Sequence, residues 1–340
     1  MATPDNPLLF LSKNRMPRAR WHLGGAFRFD RSLLMYLGYT KTSLPGVFQL
    51  DAAGAPPCAW TIDWYRPRPL MNFRTFTQSL EQYARLGSGV ILEFDSPVIR
   101  DDSLEDGAAN RLLQEHYRRD RIRRNSVSVA NDKLAAHIRR IFPKLPLYAH
   151  LNRAAAEPGK RTAAFYNALA EQYDMVSLHP VDCAKPQLLD QLKEPGRFIA
   201  TINDTCLRHC PCRRDHLMLL SRIRQRPYSL ELLAARNRYV KMAGCEDIYS
   251  QVLHQQQSCI LSENEMKNLY DRGVIHFRIQ DATLRNEMSV LWSYIRGIFG
   301  NQPDIDNRIA CFASSFMAEF GRPRQQLPSG LRQFEFGGYD

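Results

Sequence analysis

The sequence predicts an α/β protein, a (β/α)8 barrel of the TIM type with an N-terminal extension and a C-terminal helical tail. Short apolar runs alternate with stretches of helical periodicity in eight successive units over ~230 residues, which implies parallel strands with helices outside. No G-x-G-x-x-G follows the first predicted strand, so the alternative, a doubly wound open sheet, lacks its dinucleotide-binding signature. A chain of 340 residues, 44% hydrophobic, suffices for one large barrel or two average domains.

Residues 1–57 read as an extension that covers one end of the barrel, with a basic arm at 16–20 and short strands at 26–29 and 47–50. The barrel is expected over 58–300. Its first strand is placed at 58–65, followed by a helix over 72–86 with Phe73, Phe76, Leu80 and Tyr83 on one face. An apolar strand at 89–94 leads to a helix capped by Ser103, with Asp106 three residues on. A strand at 126–130 precedes a helix capped by Asn131, with Leu134, Ile138 and Ile141 at helical spacing. Then come strands at 145–151, 175–178 and 198–202, separated by helices at 162–173 and 186–192. A helix through Leu217, Leu220 and Ile223, a seventh strand at 238–242 and a helix capped by Ser262 with Glu265 follow. The eighth strand is placed at 274–279, with a helix at 285–299. Residues 301–340 read as a terminal helix and a tail.

No apolar run approaches the ~20 residues of a membrane helix, and no secretory h-region precedes a small-residue cleavage site. The expectation is a cytoplasmic protein with no membrane partner. Eight cysteines are too few for a disulfide scaffold, so in a reducing compartment their clustering points to metal or redox chemistry. The net charge of +11 favours anionic partners: RNA, phosphorylated metabolites or carboxylates. Arg118, Arg119, Arg121, Arg123 and Arg124 form a charge run. That run reads as a solvated face, or as a contact to nucleic-acid phosphate.

Cys206, Cys210 and Cys212 fall within seven residues just past a predicted strand, in a polar, basic loop. Their C-x3-C-x-C spacing is not that of a zinc knuckle, but three thiols so close can meet on one soft metal or cluster. Buried, unreactive cysteine is the plain alternative. Working groups of such barrels sit at the C-terminal ends of the strands. That rim would gather Cys183, the Cys206 to Cys212 group and Cys245 from three successive strand ends, whereas Cys58 and Cys311 read as structural. Cys259 would reach the rim by a turn of its loop. Glu93 and Asp95 share a strand face and suit acid–base work; His179 is a catalytic candidate that Asp182 could orient, or a packed histidine. Asn203, Arg213, His216 and Arg278 suit the binding of a carboxylate or phosphate. Neither H-E-x-x-H nor G-x-S-x-G is present.

The segment from Asn203 to His216 resembles an N-[DE]-x-C-x3-C-P-x-R-x2-H pattern of the collagenase-like peptidase family (U-32). The stretch from Cys259 through Gly273 to Ile279 is similar to that family's later signature, and the likeness spans roughly residues 58–300. Better understood members of that family are oxygen-independent hydroxylases that hold a [4Fe–4S] cluster on cysteines. They act on RNA bases or a quinone precursor, with prephenate as the implied oxygen donor. The resemblance implies Cys206, Cys210 and Cys245 as ligands, with Cys212, Cys183 or Cys259 as the fourth; zinc is the weaker alternative to the cluster. Cys212 stands where the pattern has an aromatic residue, and Gln280-Asp281 where it has Gly-Arg. Other readings are a peptidase, and a cluster-binding barrel that serves a homologous partner or an electron donor.

Overall fold

The computed structural model describes residues 15–27, 49–62, 72–225 and 258–280, with isolated helical positions at 33–34, 37–38, 40–41, 230–232 and 234–235. Eight parallel strands close a barrel: β1 (Arg20–Leu23), β2 (Gln49–Gly54), β3 (Val90–Phe94), β4 (Ser126–Val129), β5 (Leu147–Ala149), β6 (Met175–Leu178), β7 (Phe198–Thr201) and β10 (His276–Ile279). Around the ring the order is β1-β10-β7-β6-β5-β4-β3-β2. The two strands between β7 and β10 in sequence, β8 (Asn203–Leu207) and β9 (Ser258–Ile260), form a separate antiparallel pair.

The (β/α)8 expectation holds, but two strands are displaced from their expected places. Residues 1–57 are not merely a cover: they supply β1 and β2, and β1 closes the ring against β10. Residues 58–62 are no strand. Pro56 and Pro57 interrupt the ladder, and the Thr61 hydroxyl donates to the Pro56 and Cys58 carbonyls at 3.1 and 3.0 Å to make a turn. The strand expected at 238–242 lies outside the described residues, and β7 pairs directly with β10.

Helices on the outside follow local rules. Asn72 caps α1 (Phe73–Arg85), its side chain accepting from Thr75 N–H, while Phe76, Leu80 and Tyr83 face inward. After the single turn α2 (Asp101–Leu104), Asp106 rather than Ser103 caps α3 (Gly107–Arg118), accepting from Ala109 N–H at 2.7 Å. Asn131 caps α4 (Asp132–Ile141). Next come α5 (Leu151–Ala155), α6 (Ala163–Gln172) capped by Thr162, α7 (Pro186–Leu189) and α8 (Arg213–Gln225). The Ser262–Glu265 capping box opens α9 (Glu263–Asp271), as its spacing predicts.

Alternation along the strands divides their residues between two environments. Trp21, Leu92, Val127, Val176, Phe198 and Phe277 join one continuous apolar core beneath the helices. The intervening positions hold Ile91, Met175 and Ile199 together with His22, Asp51, Glu93, Ser128, Tyr148, Ser177, Thr201, His276 and Arg278, none of which joins that core. Barrels of this class usually fill the lumen with branched aliphatic side chains; this one carries polar groups there. His22 and His276 stack with ring centroids 5.2 Å apart and share a 3.0 Å contact between Nε2 and Nδ1. Burial holds both rings uncharged, at about 3.

Candidate functional site at the C-terminal rim

Two buried ion pairs define the rim. From β3 and β10, with β1 and β2 between them, Glu93 and Arg278 meet across the lumen. Arg278 Nε donates to Glu93 Oε1 at 2.7 Å and its Nη2 to Oε2 at 2.8 Å. Such a two-pronged contact is the strongest geometry open to this pair. The second pair joins Arg213, the first residue of α8, to Asp204 on β8. All four residues are less than a tenth exposed. Sequence reasoning assigned Glu93 to proton transfer and Arg213 and Arg278 to anion binding. The structure gives each arginine an internal carboxylate.

The remaining expected residues divide between positioning and exposure to the rim. Asn203 bridges β8 to the end of β10: its Nδ2 donates to the Gln280 carbonyl at 3.1 Å and its Oδ1 accepts from Gln280 N–H at 2.7 Å. Asp95 accepts from Ile62 N–H at 2.8 Å through Oδ1, tying the turn after β2 to the end of β3. His216 is buried on the first turn of α8. Burial, and then the charges of Arg213, Arg161 and Lys185, keep His179 far below the usual imidazole range. The Asp182 backbone N–H donates directly to the His179 carbonyl at 2.8 Å, and its carboxylate is linked to His179 through Tyr166. The Tyr166 hydroxyl donates to Asp182 at 2.7 Å and accepts from the His179 backbone N–H at 3.2 Å.

One rim residue was missed. His150 follows β5, and its pKa, pushed down to about 4 chiefly by burial, also feels Glu93, Arg278, Asp204 and Arg213. It therefore stands amid both ion pairs. The signal was present: His150 continues the alternation that puts Tyr148 on the lumen face. The strand expected at 145–151 ends two residues earlier, at Ala149, which leaves His150 and not Arg153 at its rim end. Arg153 instead pairs with Asp132 and Glu157 on the outer surface.

The cysteines separate by environment. Cys58 and Cys183 belong to the apolar core, and Cys183 is fully buried there. Cys206 on β8 shares a thiol hydrogen bond with Cys210. This bond, joined by the backbone N–H groups of Cys212 and Arg213 and the Arg213 charge, lowers the Cys210 thiol to about 6. The same bond, with burial, raises the Cys206 thiol. Cys212 is half-buried two residues on. β9 sets the Cys259 backbone opposite Asp204, so the β8–β9 ladder, not a loop turn, brings Cys259 toward the rim. Cys245 lies outside the described residues. The donor set suits an iron–sulfur cluster as far as these two adjoining sulfurs go. Among the described residues no three His, Cys, Asp or Glu side chains converge as metal ligands.

The arginine run lies at the opposite end of the barrel, ahead of β4. Arg119 pairs with Glu115 and Glu81, and Arg124 with Asp51, so these arginines serve internal contacts. No described helix is long and apolar enough to cross a membrane.

No protein-family model matches this sequence, and no curated protein matches it. Among solved structures, that of the U32 peptidase Mk0906 is similar, with a TM-score of 0.50 and 11% identity, covering 78% of this chain and 93% of that one. The likeness is one of fold: a closed eight-stranded parallel barrel ringed by helices.

Proposed function

We propose that this chain is an iron–sulfur barrel enzyme that carries out an oxygen-independent hydroxylation, or a related redox modification, at its C-terminal rim. The observation that carries this reading is the adjoining pair Cys206 and Cys210 on the rim, with Cys210 held toward the thiolate, the form that ligates metal. Cys212 and Cys245 are the proposed further ligands, with Cys259 in reserve; zinc is the weaker alternative. A bound cluster would supply electron transfer or a Lewis-acidic iron. The chain's own contribution is a dry rim with matched charges. Arg213 and Arg278 are fixed by Asp204 and Glu93, and His179 stands beside Arg213 as a proton-handling group. The likeness in fold to a U32 peptidase agrees with an enzyme of this architecture. The proposed substrate is a base in RNA or a small aromatic or carboxylate compound, with an electron donor or a homologous barrel as partner in the cytoplasm.

The test is the absorption spectrum and the iron and acid-labile sulfide content of protein purified without oxygen. A brown protein with about four irons per chain is expected. Cys206→Ala and Cys210→Ala should each lose most of the iron while the barrel stays folded by circular dichroism. One zinc in a colourless protein would overturn the redox chemistry and leave hydrolysis or a structural site. A metal-free protein would overturn the reading altogether.

A further inference from the structure

Beside the matched pairs of the rim, the end of β6 carries surplus positive charge. Tyr166, on the first turn of α6, ties that strand end to the helix. Its hydroxyl accepts from the His179 backbone N–H at 3.2 Å and donates to Asp182 Oδ2 at 2.7 Å. Arg161, just ahead of the Thr162 cap, brings its Nε to 3.4 Å from the same Oδ2, and Lys185 Nζ donates to Oδ1 at 2.6 Å. One fully buried carboxylate thus faces two cations. The neighbours do not make up the difference. Arg213 is met by Asp204, and Glu157, the acidic residue nearest Arg161 in sequence, already holds Arg153 and Lys160. Among the described residues one positive charge is left over around Asp182. The buried ring of His179 feels it: the charges that act on that ring are Arg213, Arg161 and Lys185, with no carboxylate among them.

Two N–H groups are left over as well. Val181 N–H donates to His179 Nδ1 at 3.3 Å, which puts the proton of the uncharged ring on Nε2. Neither that Nε2 nor Arg161 Nε makes a hydrogen bond among the described residues, although both atoms are buried. Buried donors without acceptors are rare enough to require a reason. A neutral ligand would satisfy a donor and leave the charge uncompensated. An oxyanion cancels the charge and offers lone pairs on at least two oxygens, so the donors need not meet on one atom. A dianion would overshoot the surplus.

We propose that Arg161, Lys185 and the Nε2 of His179 form a site at the end of β6 for a singly charged oxyanion, the carboxylate or phosphodiester group of a ligand. This goes beyond the cluster reading and requires no metal.

Matched probes test it. Binding of benzoate, of its uncharged analogue benzamide and of the phosphodiester dimethyl phosphate is measured by calorimetry to the protein as purified, with iron determined on the same samples. At least one of the two anions is expected to bind about tenfold more tightly than benzamide, and the tighter anion names the group that the site takes. Arg161→Gln should weaken that anion by about tenfold, and Lys185→Gln, at a half-exposed position, by about threefold. Lys160→Gln removes an equal charge one residue from Arg161, from a lysine held by Glu157, and should stay within about twofold of the parent. His179→Gln, which keeps an N–H donor, should bind the anion more tightly than His179→Leu. Benzamide binding as tightly as both anions, binding of no probe, or equal losses in the Lys160 and Lys185 variants would overturn the proposal. Should Arg161→Gln fail to fold by circular dichroism, the comparison of the two lysine variants decides. Absent anion binding in iron-loaded protein marks the failure of this site, and intact anion binding in iron-free protein marks that of the cluster reading.

Discussion

Glu93 and Arg278 stabilise the barrel only as a pair, because each is buried and the other is its counter-charge. Removing one partner strands a charge in the lumen. Glu93→Gln should therefore lower stability by roughly 3–5 kcal/mol in urea unfolding, and the double change Glu93→Met with Arg278→Met should cost less than the single one. A loss below about 1 kcal/mol in the single variant would mean that water reaches the pair after all. At Cys210 the expectation is kinetic. In metal-free protein, alkylation by iodoacetamide should follow a pKa of about 6. Cys206→Ala, which removes the largest cause of that shift, should move the profile toward an ordinary thiol. Cysteine spacing is legible in a sequence because its chemistry is local. The partner of Arg278 is not, since Glu93 is 185 positions away and nothing local announces the contact.

Strands and caps differ in how openly they declare themselves. β3, β6 and β7 are buried throughout and read as apolar runs. β1 and β2 alternate apolar residues with Arg20, His22 and Asp51, because their inward face meets a polar lumen; β1 was hidden behind the basic arm and β2 showed only as a short strand at 47–50 of the extension. The Ser262–Glu265 box was legible because both halves of the motif lie within one turn. Gly54 tests the reassigned β2. A Cβ there would collide with the Ala26 carbonyl just past β1. Gly54→Ala should cost roughly 1–3 kcal/mol, whereas Gly107→Ala, whose Cβ would meet nothing, should be neutral or mildly stabilising. Equal thermal midpoints for the two variants would contradict the placement of β2 beside β1.

For the molecule as a whole, the buried imidazoles set the response to acid. His22 and His150 titrate at about 3 and about 4 when folded, against 6.5 when unfolded. Below pH 6.5 the unfolded chain therefore takes up protons that the folded chain refuses. Stability is complete above 6.5 and declines as pH falls toward those values, by about 2 kcal/mol per histidine at pH 5. Calorimetry at pH 7.5 and pH 5 should find a clearly lower melting temperature at the lower pH; equal values would show that these rings are solvated. The barrel rhythm itself was legible because six of the eight strands are regular, and the count of eight survived while two of its members changed. The closure of the ring by β1 against β10 has a consequence for synthesis. The ribosome releases β1 early, but its second neighbour spans residues 276–279. Until those residues emerge, the growing sheet has two unpaired borders, the kind that recruit strands from other nascent chains. Chaperones that shield such borders would be needed most until residues 276–279 have emerged.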